Sequence, residues 1–252
     1  MSDHILISTE NRVLTITFNR PEKKNALTHA MYATMAKAIK DAESDNNVRA
    51  ILFTGNGDAF TAGNDLIDFQ QAGGLTGDMP VQHFLEALGT TDKPVVAAVN
   101  GVGVGIGLTM LLHSDLVYMA EHAEIQAPFV DLALVPEFAS SLLLPARIGH
   151  AKAAEIFMLG KRVSAEEACK LGIANEVCSP GELLAVAGKA AAKLARKAPR
   201  SLQMTKRLMR GDKEVLAERM KQESVYFGEQ LQSAEVAEAI TAFLQKRAPD
   251  FG

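Results

Sequence analysis

Apolar and polar positions alternate from His4 to Ser8 and again from Arg12 to Phe18, which predicts two strands with Glu10-Asn11 as the turn between them. A polar stretch, Asn19 to Asn25, follows. The period then changes, with Leu27, Met31, Met35, Ala38, Ile39 and Ala42 recurring at helical spacing. Val48 to Thr54 reads as a buried strand, and Val95 to Val99 is an almost wholly apolar β-branched run that suits a strand covered on both faces. Between them, Gln71 to Pro80 has no period and reads as a mobile loop, while Val81 to Leu88 reads as a helix.

Leu116 to Ala120 is predicted as a further strand, and Ile125 to Val135 is an apolar segment broken by Pro128 and ended by Pro136. From Lys152 the pattern turns helical. Ala153 to Gly160 forms one helix, and Ser164-Ala165-Glu166-Glu167 is a capping box opening another that contains Cys169, read as a packed residue. Ile173 to Val177 returns to strand, and four amphipathic segments close the chain: Gly181 to Ala198, Arg200 to Met209, Lys213 to Leu231 and Ala234 to Lys246. This tail has little room to bury so many apolar faces, so it is expected to pack on the core or on another subunit. The reading is α/β, with residues 1–195 as the core and 196–252 as a helical region.

Two glycine-rich stretches carry candidate chemistry. Gly101, Gly103, Gly105 and Gly107 follow the Val95 strand and lead into a helix from Leu108 to His113, whose unpaired N–H groups would receive an anion or oxyanion. The alternative is that the glycines only permit tight helix-on-sheet packing. A dinucleotide fingerprint fails, because its last glycine would be Ile106 or Leu108, and no G-K-[ST] follows. The second stretch runs from Gly55 to Leu66 and offers further N–H groups beside a strand end. Lys23 and Lys24 either pin an anionic ligand or form a solvated loop. Glu137, after Pro136 and among Val135, Phe138 and Ala139, has the apolar surroundings that raise a carboxyl pKa and make a general base; alternatively it is a helix-start glutamate satisfied by N–H groups.

Composition narrows the classes. With 252 residues, 48% of them hydrophobic, the chain can bury one large core, and its net charge of −4 argues against a nucleic-acid surface. Two cysteines and the polar opening MSDHILISTE lead to an expected cytoplasmic location, and no apolar run is long enough to span a membrane. The six histidines show no H-x-x-x-H spacing and there is no C-x-x-C, so no metal is expected.

The series NRPEKKNAL, FTGNGDAFTAGNDLIDF, KPVVAAVNGVGVGIGLTMLLHSDL and VPEFASSLLLP resembles the crotonase (enoyl-CoA hydratase/isomerase) superfamily over essentially the whole chain. GNGDAFTAGNDL and VPEFASSLLLP are most similar to the peroxisomal-type Δ3,Δ2-enoyl-CoA isomerases. The resemblance implies a crotonase-like spiral of ββα turns in two sheets, a helical carboxyl-terminal trimerisation region, and a homotrimer or hexamer. It implies a CoA thioester as substrate, no permanently bound cofactor, and a 3-enoyl double bond shifted to the 2-position in fatty-acid degradation. By the same resemblance, the N–H groups of Asn64 and Ile106 bind the thioester oxygen and Glu137 is the catalytic glutamate. Lys23, Lys24, Ala26, Ala62, Gly63, Asp65 and Leu66 would surround the CoA moiety, and Phe243 and Lys246 would reach the CoA of a neighbouring subunit. The two glutamates of the hydratases are replaced here by Thr109 and Phe129, so hydration is the alternative reaction, with Asp65 or Asp131 as its second carboxylate; a non-catalytic acyl-CoA-binding protein is the other.

Overall fold

The computed structural model describes residues 2–65, 67–68, 79–245 and 247–252, with Phe243 and Leu244 as backbone only. Strands β1 (Ile5–Glu10) and β2 (Val13–Phe18) pair antiparallel with Glu10 opposite Val13. The turn is therefore Asn11-Arg12 rather than Glu10-Asn11. Both residues are left-handed (φ 51° and 64°), the conformation that lets a two-residue loop follow the twist of its strands.

β3 (Ala50–Gly55) is followed by β4 (Ala59–Thr61), β5 (Val95–Val99) by β6 (Val102–Val104), and β7 (Leu116–Ala120) by β8 (Glu124–Gln126); β9 (Val163–Ser164) and β10 (Glu176–Cys178) complete the set. Each of these three successive pairs lays its first strand in a six-stranded sheet, β1-β2-β3-β5-β7-β10, and its second in a four-stranded sheet, β4-β6-β8-β9. This is the expected ββα spiral. Strands β4 and β6 lie inside stretches read as turns, because three residues between glycines are too short to show a period.

Among the described residues the α-helices with defined bounds are, in chain order, α1 (His29–Ser44), α2 (Pro80–Thr90), α3 (Ile106–Thr109), α4 (Ser140–Ile148), α5 (His150–Met158), α6 (Ala165–Lys170), α7 (Leu183–Ala195), α8 (Pro199–Arg210), α9 (Lys213–Leu231) and α10 (Ala234–Gln245). The Thr28 hydroxyl caps α1 by accepting the Met31 N–H, and the helix buries Met31, Tyr32, Met35, Ile39 and Ala42 on one stripe. Leu27, expected within this helix, precedes it and bridges Asn64 instead. Ser164 caps α6 through the Glu167 N–H, as its sequence signature predicts. On α7, Leu183, Ala187, Ala191 and Ala195 are buried at intervals of four against β3, β5 and β7. Their small side chains bring the helix close to the sheet and help to bury every residue of β5. The region from Gln71 to Pro80 read as a loop lies outside the described residues up to Asp78, and Pro80 opens α2.

At α8 the tail docks on the core, though not through its apolar face. Its buried contacts are cationic: the Lys206 ammonium donates to the Lys93 carbonyl (2.5 Å) and to Asp115 (2.7 Å), and Arg210 donates to the His113 carbonyl (2.6 Å). Met204, Leu208 and Met209 face outward. An inward-facing ammonium with two oxygen partners is satisfied, so the helix docks through polar groups and leaves its apolar residues uncovered. No helix among the described residues is long and apolar enough to cross a membrane.

Candidate active site

The site begins where β4 and β6 run side by side and parallel. Past their carboxyl ends lie Ala62-Gly63-Asn64 and Gly105-Ile106. Gly63 has φ 92°, and a Cβ on it would stand 3.0 Å from the Val104 carbonyl oxygen; on Gly107 a Cβ would stand 2.9 Å from the Thr61 methyl. Only glycine lets the two segments approach so closely. The packing reading of the glycine run therefore holds, and its consequence is that Asn64 and Ile106 occupy neighbouring strand ends.

Leu27 bonds the residues flanking Asn64, donating to the Gly63 carbonyl (2.8 Å) and accepting the Asp65 N–H (2.9 Å), so the N–H of Asn64 itself points away from that bridge. Ile106 is the first residue of α3, where an N–H has no intrahelical acceptor. Among the described residues neither N–H has a hydrogen-bond partner.

The Lys23 to Ala26 loop is stitched to the same segment. The Ala62 N–H donates to the Lys24 carbonyl (2.8 Å), and the Arg20 guanidinium donates to the Ala26 carbonyl (3.1 Å) and to Asp65 (2.7 Å). Burial pushes the Asp65 pKa up, but the Arg20 guanidinium together with the Asp68 and Ile67 N–H groups outweighs it and holds the carboxyl below its ordinary range. Fully buried Asn25, left-handed at φ 56°, ties the loop down by donating to the Ala59 carbonyl (2.7 Å) and the Asn56 carbonyl (2.9 Å). Lys23, Lys24, Ala26, Ala62, Gly63 and Asp65 thus share one rim, on which exposed Lys24 pairs with Asp58. Leu66 and Lys246 lie outside the described residues; Phe243 is placed by its backbone in α10.

Glu137 stands three residues before α4; its backbone carbonyl accepts the Ser140 N–H (3.1 Å), but its side chain does not cap the helix. One of its oxygens, Oε1, accepts the Thr109 hydroxyl at 2.5 Å, so the helix-start reading is not the one this fold realises. Phe138 (φ 60°) and Ala139 (φ 54°) are both left-handed, at about 1–2 kcal/mol of strain each. Partners hold them there. The Phe138 carbonyl accepts His113 Nε2–H at 2.7 Å and its ring stacks on the imidazole at 3.7 Å, while Glu223 of α9 accepts the Ala139 N–H. Burial pushes the His113 pKa down to about 3, so the ring is neutral, and its Nε2 must carry the proton because a carbonyl only accepts.

Burial also pushes the Glu137 pKa up, the Thr109 bond opposes this, and the negative charge of Glu223 adds to it, leaving the group at about 8. The residue is half-buried and opens onto a cavity. Asn64 lines that cavity too, with Val81 and Leu85 of α2 and Met220 and Phe227 of α9. Among the described lining residues Glu137 is the sole carboxylate. Asp65 is engaged by Arg20, Asp131 sits against Gly160, and Phe129 is buried beside Phe157. Neither aspartate supplies a second carboxylate to the cavity.

Sequence reasoning passed over three contributors. Thr109 read as an absence of glutamate but donates its hydroxyl to the Glu137 carboxyl. Tyr32 read as one more buried helix position, yet its hydroxyl donates to Asn64 Oδ1 (2.5 Å), and burial, then the charge of Glu137, raises its pKa. Asn25 had no signal beyond its place in a polar loop.

A family model described as enoyl-CoA hydratase/isomerase matches residues 8–252. Enoyl-CoA delta isomerase 2 of Rattus norvegicus is 36% identical over 98% of this chain, which spans 64% of that protein, less than two thirds of its length. The 2,3-dehydroadipyl-CoA hydratase of Escherichia coli (strain K12) is 32% identical over 98% of both chains. The crystal structure of an enoyl-CoA hydratase/isomerase from Pseudoalteromonas atlantica T6c superposes with a TM-score of 0.95 at 45% identity, covering 99% of this chain and 100% of that one.

Proposed function

Because the chain belongs to the enoyl-CoA hydratase/isomerase family, we propose that it is a Δ3,Δ2-enoyl-CoA isomerase of fatty-acid degradation, a reading carried by Glu137 as the sole carboxylate among the described lining residues of the cavity. The thioester oxygen sits between the N–H groups of Asn64 and Ile106, which stabilise the negative charge that forms when a proton leaves C2. One such donor is worth about 3 kcal/mol of barrier. Glu137 takes that proton and returns it to C4, moving the double bond into conjugation with the thioester. No water need be activated, in keeping with Phe129 at the position where the hydratases carry their second glutamate.

With a 3-enoyl-CoA, the expected result is appearance of the conjugated 2-enoyl thioester. Glu137 must be deprotonated to act, so kcat/KM should rise about tenfold per pH unit on the acid side of its pKa, pushed up to about 8, and level off above. Efficient hydration of a 2-enoyl-CoA, or a flat profile between pH 6 and 8, would overturn the assignment.

The CoA phosphates are taken by the rim at Lys23 and Lys24, with Lys24 exchanging Asp58 for the ligand. Lys24→Glu should raise KM for the CoA ester about two- to fivefold at low salt, an effect that shrinks as salt screens it. Equal KM at low salt removes Lys24 from the CoA site. The exposed Met204, Leu208 and Met209 of α8 support assembly into a trimer or hexamer. A monomeric sedimentation mass at micromolar concentration refutes it.

A further inference from the structure

We propose that Glu223, on tail helix α9, is a positioning residue for the proton shuttle: it clamps the left-handed turn that aims Glu137 and places a fixed negative charge behind it. The inference rests on Glu137 being the base. Helix α4 begins after Ala139, which has no side chain able to cap it; the Glu137 carbonyl accepts the Ser140 N–H (3.1 Å), and the Ser141 N–H needs an acceptor from elsewhere. Glu223, 6% exposed, provides it by accepting the Ala139 N–H (2.5 Å), the Ser141 N–H (3.0 Å) and the Ser141 hydroxyl (2.6 Å). A carboxylate at a helix start is favourably placed. These bonds grip the backbone on both sides of Ser140.

Because the Phe138 carbonyl is held by His113, the peptide carrying Glu137 cannot relax out of its strained turn unless one of the two grips is released. Met220 and Phe227, three before and four after Glu223, line the cavity, so one face of α9 forms the wall of the site and holds its base. The groups facing Glu137 are the hydroxyls of Thr109 from α3 and Tyr32 from α1, together with Glu223; facing Glu223 are the Ser141 hydroxyl and Arg219, which donates to Ser141 Oγ at 3.4 Å. His113 is neutral. Burial raises the Glu223 pKa, and the Ser141 and Ala139 bonds and the charge of Arg219 oppose that rise.

Glu223→Gln preserves size, but its amide turns a donor toward N–H groups and carries no charge. It should lower kcat at least about tenfold with KM changed less than about twofold, as expected when a base is displaced but substrate contacts remain. It should also move the acid limb of kcat/KM to lower pH. Glu223→Asp keeps the charge and retracts it by one methylene, so its acid limb should match the parent while kcat falls. Ser141→Ala, which removes only a hydroxyl donor, should lower kcat to a lesser degree and serves if the Gln variant does not fold. Variants that lose thermal stability but keep the parent kcat per folded molecule and the parent acid limb overturn the proposal. Parent-like turnover in Glu137→Gln would instead refute the base on which it rests.

Discussion

Replacing Glu137 by Gln is expected to lower turnover of a 3-enoyl-CoA by about 10²-fold or more while CoA-ester affinity stays nearly unchanged. The amide can still accept the Thr109 hydroxyl and fill the same space, but it cannot take a proton from C2. The thioester oxygen keeps both of its N–H donors, so binding is spared. Parent-like isomerisation by the variant would end the mechanism.

The same substitution has a measurable effect on stability. The folded pKa of Glu137, pushed up to about 8, lies above the ordinary 4.5 of an unfolded chain, so the unfolded state binds fewer protons across that window. The contribution of the protonated side chain is complete below about pH 4.5 and is lost as pH rises toward 8, by up to about 4 kcal/mol. Glu137→Gln has no such slope. Its advantage in thermal unfolding over the parent should therefore be small at pH 4.5 and largest at pH 8; equal curves at pH 8 would show that burial does not raise the pKa of this carboxyl.

The second large effect is expected at Gly63. Gly63→Ala puts a methyl 3.0 Å from the Val104 carbonyl on a residue with φ 92°, where an L side chain is strained by about 1–2 kcal/mol. To relieve this, either the β4 and β6 segments separate or the peptide turns, and both movements shift the Asn64 N–H. Losing one oxyanion donor costs about 10²- to 10³-fold in kcat. Gly188→Ala in α7 is the control, since nothing lies within 4 Å of its Cβ and helix propensity alone should add about 0.5–1 kcal/mol of stability without changing turnover. If Gly63→Ala retains the parent kcat/KM, the thioester oxygen is not bound at Asn64.

By itself the sequence determined the elements whose signals are local: the buried run of β5, the apolar stripe of α1, the Ser164 cap, the tail helices nearly to their ends, and Glu137 as a carboxylate among apolar neighbours. The tertiary structure decided what surrounds Glu137. Its hydroxyl partner Thr109 is 28 residues away, and the carboxylate that caps the following helix, Glu223, is 84 residues from Ala139. A threonine in a glycine-rich helix start and a glutamate on an amphipathic helix each have an ordinary local explanation, and contacts between residues so far apart leave no periodicity to read. Strands β4 and β6 escaped for a related reason: they exist because glycines let two short segments pair, and pairing is a property of the folded chain. The outward apolar face of α8 was likewise invisible, because apolar spacing identifies a face but not the direction it points; Lys206 and Arg210, by finding oxygen partners inside, turned that face toward the surface.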